Sequence, residues 1–174
     1  MTVYKNYTRQ QIADACRTYG CQLINLPGGV NGTQLLWALA GNESSFGADC
    51  NPRLEPAYWT GKYSNDATQA KLNKLYGPLG ASSAGPWQVM AINAFKGGIS
   101  PTDVANDLDR AARATVGFLN RSIANQWPPN LEDIFDMYNS GNWKDTIVPH
   151  QYIADGVKHY NLPMPAEGGT DGKL

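Results

Sequence analysis

Histidine is nearly missing from this chain, cysteine is odd in number, and glutamate occurs only four times in 174 residues. His150 and His159 lie far in sequence from Cys16, Cys21 and Cys50, and no CxxC spacing occurs, so a metal site is not expected and no cofactor is implied. Three cysteines cannot all pair within one chain, which argues against a disulfide framework. No run approaches the ~18 apolar residues of a membrane-spanning helix, so membrane insertion is not expected. The opening segment "MTVYKNYTRQQIADACR" is polar and lacks the apolar centre of a signal peptide, so the expectation is a protein made without an export signal of its own. A net charge of −1 removes any overall attraction to nucleic acid. Lys62, Lys71, Lys74 and Lys96 outnumber Asp66 between residues 61 and 96, an asymmetry of the size found on ordinary solvated surfaces.

What is present suffices for one core. With 42% hydrophobic residues, length favours a single domain over residues 1–162, followed by an aperiodic tail, 163–174, expected to be flexible. Thr8 with Gln11 forms a capping box for a helix over about residues 9–19, stopped by Gly20. Asn31 with Gln34 starts a second, with Leu35, Leu36, Leu39 and Ala40 on one face. The segment 47–62, "GADCNPRLEPAYWTGK", is rich in proline, glycine and aromatics and reads as loop with a small hairpin; any sheet is expected within 47–65. "DATQAKLNKLYG" predicts a helix ending at Gly77, and "PLGASSAGPWQVM" a turn that opens a helix at Pro86. Ser100, Pro101 and Asp103 start what periodicity predicts to be the central helix, with Ala105, Leu108, Ala112, Val116, Leu119 and Ile123 in one stripe. "NLEDIFDMYNSGN" stops at Ser140 and Gly141, and Ile153, Val157 and Tyr160 mark a last amphipathic helix. The fold expected is mainly α.

The scarce glutamates are the informative acids. Glu43 follows Leu36, Leu39 and Ala40 by seven, four and three residues, so on a continuing helix its carboxyl shares their apolar face, near a helix C-terminus whose dipole opposes negative charge. Burial and dipole both favour the protonated form, as a general acid needs. The competing possibility is that Glu43 turns out into solvent. Glu55, in "NPRLEPAYW", is either a second carboxylate of a site or the ion-pair partner of Arg53. Glu132 sits in a helical first turn, where acids favour the dipole, and Glu167 lies in the tail.

Three segments together resemble the lysozyme-like muramidase superfamily, which includes soluble lytic transglycosylases and goose-type lysozymes. "ESSFG" is similar to the catalytic Glu-Ser motif, "ASSAGPWQVM" to the small-residue turn before a glutamine, and "MYNSGN" to the Tyr-Asn motif; the likeness spans residues 33–160. It implies a lysozyme-like α+β fold whose cleft binds peptidoglycan glycan strands, cut between N-acetylmuramic acid and N-acetylglucosamine. Glu43 then matches the catalytic acid. Gly85 and Gln88 match the sugar-lining turn, in which Ser83 is also a candidate substrate-binding residue, and Tyr138 and Asn139 match the third motif, whose tyrosine hydroxyl lies near the acid. The chain departs from common transglycosylases in having Pro86 and Trp87 before Gln88 and Ser83 in place of alanine. Trp87 is either a face for a sugar ring or a core residue. The inserted "NPRLEPAYW" is similar to a segment of phage-associated N-acetylmuramidases.

Two chemistries fit this set. In lytic transglycosylation Glu43 alone protonates the leaving oxygen and then deprotonates the muramic 6-hydroxyl. In hydrolysis, slightly favoured, Glu55, or in its place Asp49 or Asp66, activates a water on the opposite face of the ring. The polar opening segment leads to the expectation of a monomeric phage lysin that a holin lets out or a virion carries in, with a bacterial protein exported by another route as the alternative. The alternative from another class is a non-catalytic peptidoglycan-binding or virion structural module.

Overall fold

The computed structural model describes residues 4–144 and 147–168. Within them the chain is mainly helical: α1 (Arg9–Gly20), α2 (Gly32–Ser44), α3 (Pro56–Trp59), α4 (Ala67–Tyr76), α5 (Ala91–Lys96), α6 (Pro101–Asn106), α7 (Leu108–Gln126), α8 (Leu131–Ser140) and α9 (His150–Tyr160). A three-stranded antiparallel sheet, in the order β1 (Arg53–Leu54), β2 (Ser82–Ala84), β3 (Val89–Met90), completes it. Described helices include none long and apolar enough to cross a membrane.

The helix starts follow local chemistry. Thr8 and Gln11 make both bonds of the capping box, and Asn31, Asp66, Ser100, Asp107 and Asn130 each accept a backbone N–H of the turn they open. Gly77 and Gly141, both at positive φ, end α4 and α8 where the sequence places the stops.

Packing overrides the sequence expectation at the centre. The stretch predicted as one long central helix breaks at Asp107, whose extended backbone ends α6 and whose carboxylate caps Arg110 N to begin α7. The most enclosed helix is α2, with every residue from Leu35 to Gly41 buried, between α1 and α9. An all-round apolar segment shows little periodicity, so its stripe gave no sign of centrality.

The sheet also differs from expectation. Only β1 falls within 47–65; the hairpin is β2–β3, with Ser83 opposite Met90 and Ala84 opposite Val89. Pro86 does not open a helix. It stands second in the turn Gly85–Gln88, closed by Gln88 N donating to Gly85 O at 3.1 Å, and helix resumes only at Ala91. Gly85 is required there twice over: φ is +75°, and a Cβ would come within 2.7 Å of Val104 O on α6.

The tail is partly ordered. Gln10 Nε2 donates to Ala166 O at 3.1 Å, Arg17 Nη2 donates to Pro165 O, and Met164 packs on the core. Residues 169–174 of the predicted flexible tail lie outside the described residues.

Candidate active site

The apolar run of α2 delivers Asn42 and Glu43 in its last turn, and the chain then reverses sharply. Ser45, Phe46 and Gly47 all have positive φ, Phe46 N bonds back to Ala40 O at 2.9 Å, and the Phe46 ring packs on Trp37 with centroids 4.3 Å apart. The reversal leaves Glu43 at a helix end without turning it into solvent: its side chain is only 13% exposed. Burial raises its pKa above the ordinary carboxylate value. Opposing that, the Tyr152 hydroxyl donates to Oε1 at 2.5 Å and the Arg53 guanidinium stands 3.9 Å from Oε2, while the charge of Glu55 adds to the rise. Arg53 Nη2 also donates to Glu43 O at 2.6 Å, which satisfies a carbonyl at the negative end of α2 and joins β1 to that helix.

Glu43 opens into a cleft of about 430 Å³ lined also by Arg53, Glu55, Tyr58, Tyr63, Ser83, Gln88, Met90, Tyr138, Asn139 and Ser140. Five of the residues singled out from sequence besides Glu43 therefore meet in one place: Glu55, Ser83, Gln88, Tyr138 and Asn139. Glu55 caps α3 without spending its carboxylate on it, while its backbone is fastened to Ala81 O and to the N–H groups of Tyr58 and Trp59. Among the described residues no ion pair joins it to Arg53, which faces Glu43 instead. Ser83 Oγ donates to Gln88 Oε1 at 3.0 Å, and Gln88 Nε2 donates to Gly85 O and Asn51 O, so the glutamine amide is fully held at a left-handed position, φ +45°.

Four residues fall elsewhere. Trp87 is fully buried and its indole N–H donates to Leu36 O at 2.8 Å, so it braces the turn on α2 and offers no face to a ligand. Gly85 meets α6, not the cleft. Asp49 is exposed and accepts from Asn51, and Asp66 is spent capping α4.

Tyr138 lines the cleft, yet its hydroxyl donates to Trp87 O at 2.6 Å; the phenol bonded to Glu43 is that of Tyr152, which the sequence reading did not single out. Burial first, and the neighbouring Glu43 charge second, drive the pKa of both tyrosines upward, so both stay neutral donors. The one sequence sign for Tyr152 is its place beside Ile153 on the amphipathic helix; nothing local says that it faces Glu43. The aromatic surface open to the cleft belongs to Tyr58 and Tyr63, whose centroids are 4.9 Å apart, with Tyr63 41% exposed. Asn73 on α4 holds this wall by donating to Tyr58 O at 2.9 Å, and Tyr63 N donates to Ala57 O. Among the described residues no group of His, Cys, Asp and Glu side chains is placed to hold a metal ion.

No protein-family model, curated protein or solved structure matches this chain.

What the site can do chemically follows from its parts. A carboxyl whose pKa burial raises, and which opens to a cleft, can give a proton to a poor leaving group. A second carboxylate in the wall can accept one. The exposed Asn139 amide suits a polyhydroxylated, amide-bearing ligand, Gln88 and Ser83 shape the wall through their bond to each other, and the tyrosine pair suits the apolar face of a sugar ring.

Proposed function

We propose that the protein is a lysozyme-like muramidase that cleaves the β-1,4 bond between N-acetylmuramic acid and N-acetylglucosamine of peptidoglycan. The observation that carries this is the buried Glu43 carboxyl, with raised pKa and a Tyr152 donor, facing an open polar cleft. The order of the "ESSFG", "SSAGPWQVM" and "MYNSGN" segments supports it, since five of their polar residues, Ser83, Gln88, Tyr138, Asn139 and Ser140, line that cleft with Glu43.

In this mechanism Glu43 gives its proton to the glycosidic oxygen as the C1–O bond breaks. Glu55, which lines the same cleft, takes a proton from a water whose oxygen adds to C1, so a reducing end is released. Arg53 beside Glu43 stabilises the carboxylate left after proton transfer. Should Glu43 itself take the next proton, from the muramic 6-hydroxyl, the product is the 1,6-anhydro sugar and no water is consumed.

The test is clearing of purified cell walls by wild type and Glu43→Gln. The variant should retain the fold and lose about 10²–10⁴-fold in rate, the usual contribution of a positioned acid. Clearing at near wild-type rate by Glu43→Gln removes the acid role, and a wild type that binds walls without clearing them makes the protein a non-catalytic module.

A further inference from the structure

Next to Glu43, among residues that do not line the cleft, a chain of polar contacts joins α2 to α9. Asn42 Nδ2 donates to Tyr152 O at 2.9 Å, and Asn42 Oδ1 lies 2.7 Å from His159 Nδ1. Tyr152 and His159 are seven residues apart on α9 and so share one face, with Asn42 bridging them from the facing helix. The roles of the atoms are fixed by chemistry. Tyr152 O can only accept, so the amide nitrogen must face it; Oδ1 then faces His159, whose Nδ1 must carry the hydrogen. That holds for the neutral ring and for the imidazolium alike.

The histidine ring is seated by a missing side chain. A Cβ on Gly41 would fall 2.8 Å from His159 Cγ and Nδ1 and 2.7 Å from Phe46 Cζ. Glycine within a helix is less favourable than alanine, and here it is what lets the ring lie against the backbone of α2. Phe46 meets the ring edge-on at 5.1 Å, and Arg9 from α1 covers the Phe46 ring at 4.2 Å. The charged groups around His159 are Arg9 on α1 and Lys158 and Asp155 on α9; burial, Lys158 and Arg9 outweigh Asp155 and keep the ring neutral to lower pH than usual.

Asn42 thus grips the backbone of the residue whose phenol bonds the neighbouring Glu43. We infer that Asn42 and His159 are positioning residues that fix the first turn of α9 against the last turn of α2, and so hold the Tyr152 hydroxyl on the Glu43 carboxyl. The inference rests on the role proposed for Glu43, but its geometry can be tested without turnover. Besides burial, three groups act on that carboxyl: Tyr152 on α9, Arg53 on β1 and Glu55 before α3. Only the first is reached through Asn42.

The experiment is a double-mutant cycle among Asn42→Ala, His159→Leu, His159→Asn and Tyr152→Phe, read by NMR titration of the Glu43 carboxyl carbon and by kcat and KM on cell-wall glycan. Asn42→Ala and His159→Leu should raise the Glu43 pKa in the same direction as Tyr152→Phe and have little further effect in the Tyr152→Phe background. Turnover should fall on the order of tenfold in kcat with KM within about twofold, as expected when one hydrogen bond is loosened. His159→Asn, which returns a donor near the Nδ1 position, should restore both readouts. An unmoved Glu43 pKa in folded Asn42→Ala overturns the inference, as do effects that simply add to those of Tyr152→Phe. If Asn42→Ala does not fold, His159→Leu against His159→Asn decides: equal pKa values in the two overturn it. A wild type without turnover but with the coupled titration retires the proposed muramidase function and leaves the positioning pair standing.

Discussion

The phenol of Tyr152 donates to Glu43 Oε1 at 2.5 Å, and this bond works against the burial that surrounds the carboxyl. A neutral donor favours the carboxylate, whereas desolvation favours the acid, so the proton affinity of Glu43 is a balance between two helices. The Arg53 guanidinium adds to the side of the carboxylate from a third element.

Tyr152→Phe removes one side of that balance. The Glu43 pKa should rise, and the alkaline limb of the kcat/KM profile should move to higher pH, with kcat at the optimum lowered on the order of tenfold. A pH–rate profile of the folded variant checks it; a limb that moves to lower pH contradicts the assigned geometry.

Glu43→Gln carries a stability signature as well. Because the folded carboxyl holds its proton to higher pH than the unfolded one, the native state binds more protons through that window, and wild-type stability falls as pH rises through it. The window opens near the ordinary value of 4.5 and closes at the raised folded value. Glutamine has no proton to lose, so the melting temperature of the variant relative to wild type should climb with pH across that window and level off above it. Thermal melts of both proteins over the range read this directly, and a difference that shrinks with rising pH would reverse the sign of the burial effect.

Glu55→Gln separates the two chemistries. If Glu55 activates water, wild type releases fragments with reducing ends, and the variant loses about 10²–10⁴-fold in rate while keeping its fold. Mass spectrometry of the released muropeptides gives the product. Fragments lighter by one water, formed as fast by Glu55→Gln as by wild type, would leave Glu55 without a catalytic part.

Tyr63→Ala removes half of the aromatic wall while leaving the catalytic acid and its partners in place. KM for glycan should rise about threefold to tenfold with kcat little changed, as for loss of one aromatic contact. The opposite split, a fall in kcat at constant KM, would move Tyr63 from binding to chemistry.

Local signals in the sequence are strong where one element answers only to itself. The capping residues Thr8, Asn31, Asp66, Ser100 and Asn130 and the terminal glycines Gly77 and Gly141 act over three or four residues, so the starts of α1, α2, α4, α6 and α8 and the stops of α4 and α8 are legible without any fold. The same holds for Glu43: helix periodicity places it on the face of Leu36 and Leu39, and the structure buries that face. Trp87 shows the limit. Its neighbours suggest a turn beside a sugar site, but the direction of the indole depends on Leu36, which is remote in sequence.

The sequence by itself determined a mainly helical chain, the starts of several of its helices, and the placing of Glu43 in helical register with Leu36, Leu39 and Ala40, because hydrogen bonding within a turn and burial periodicity are short-range. The tertiary structure alone decided that α2 is the enclosed helix, that Tyr152 and not Tyr138 bonds Glu43, and that Asn42 and His159 stand next to the pair. Those outcomes depend on how closely α9 approaches α2 at Gly41, a contact between segments more than a hundred residues apart that no local pattern encodes.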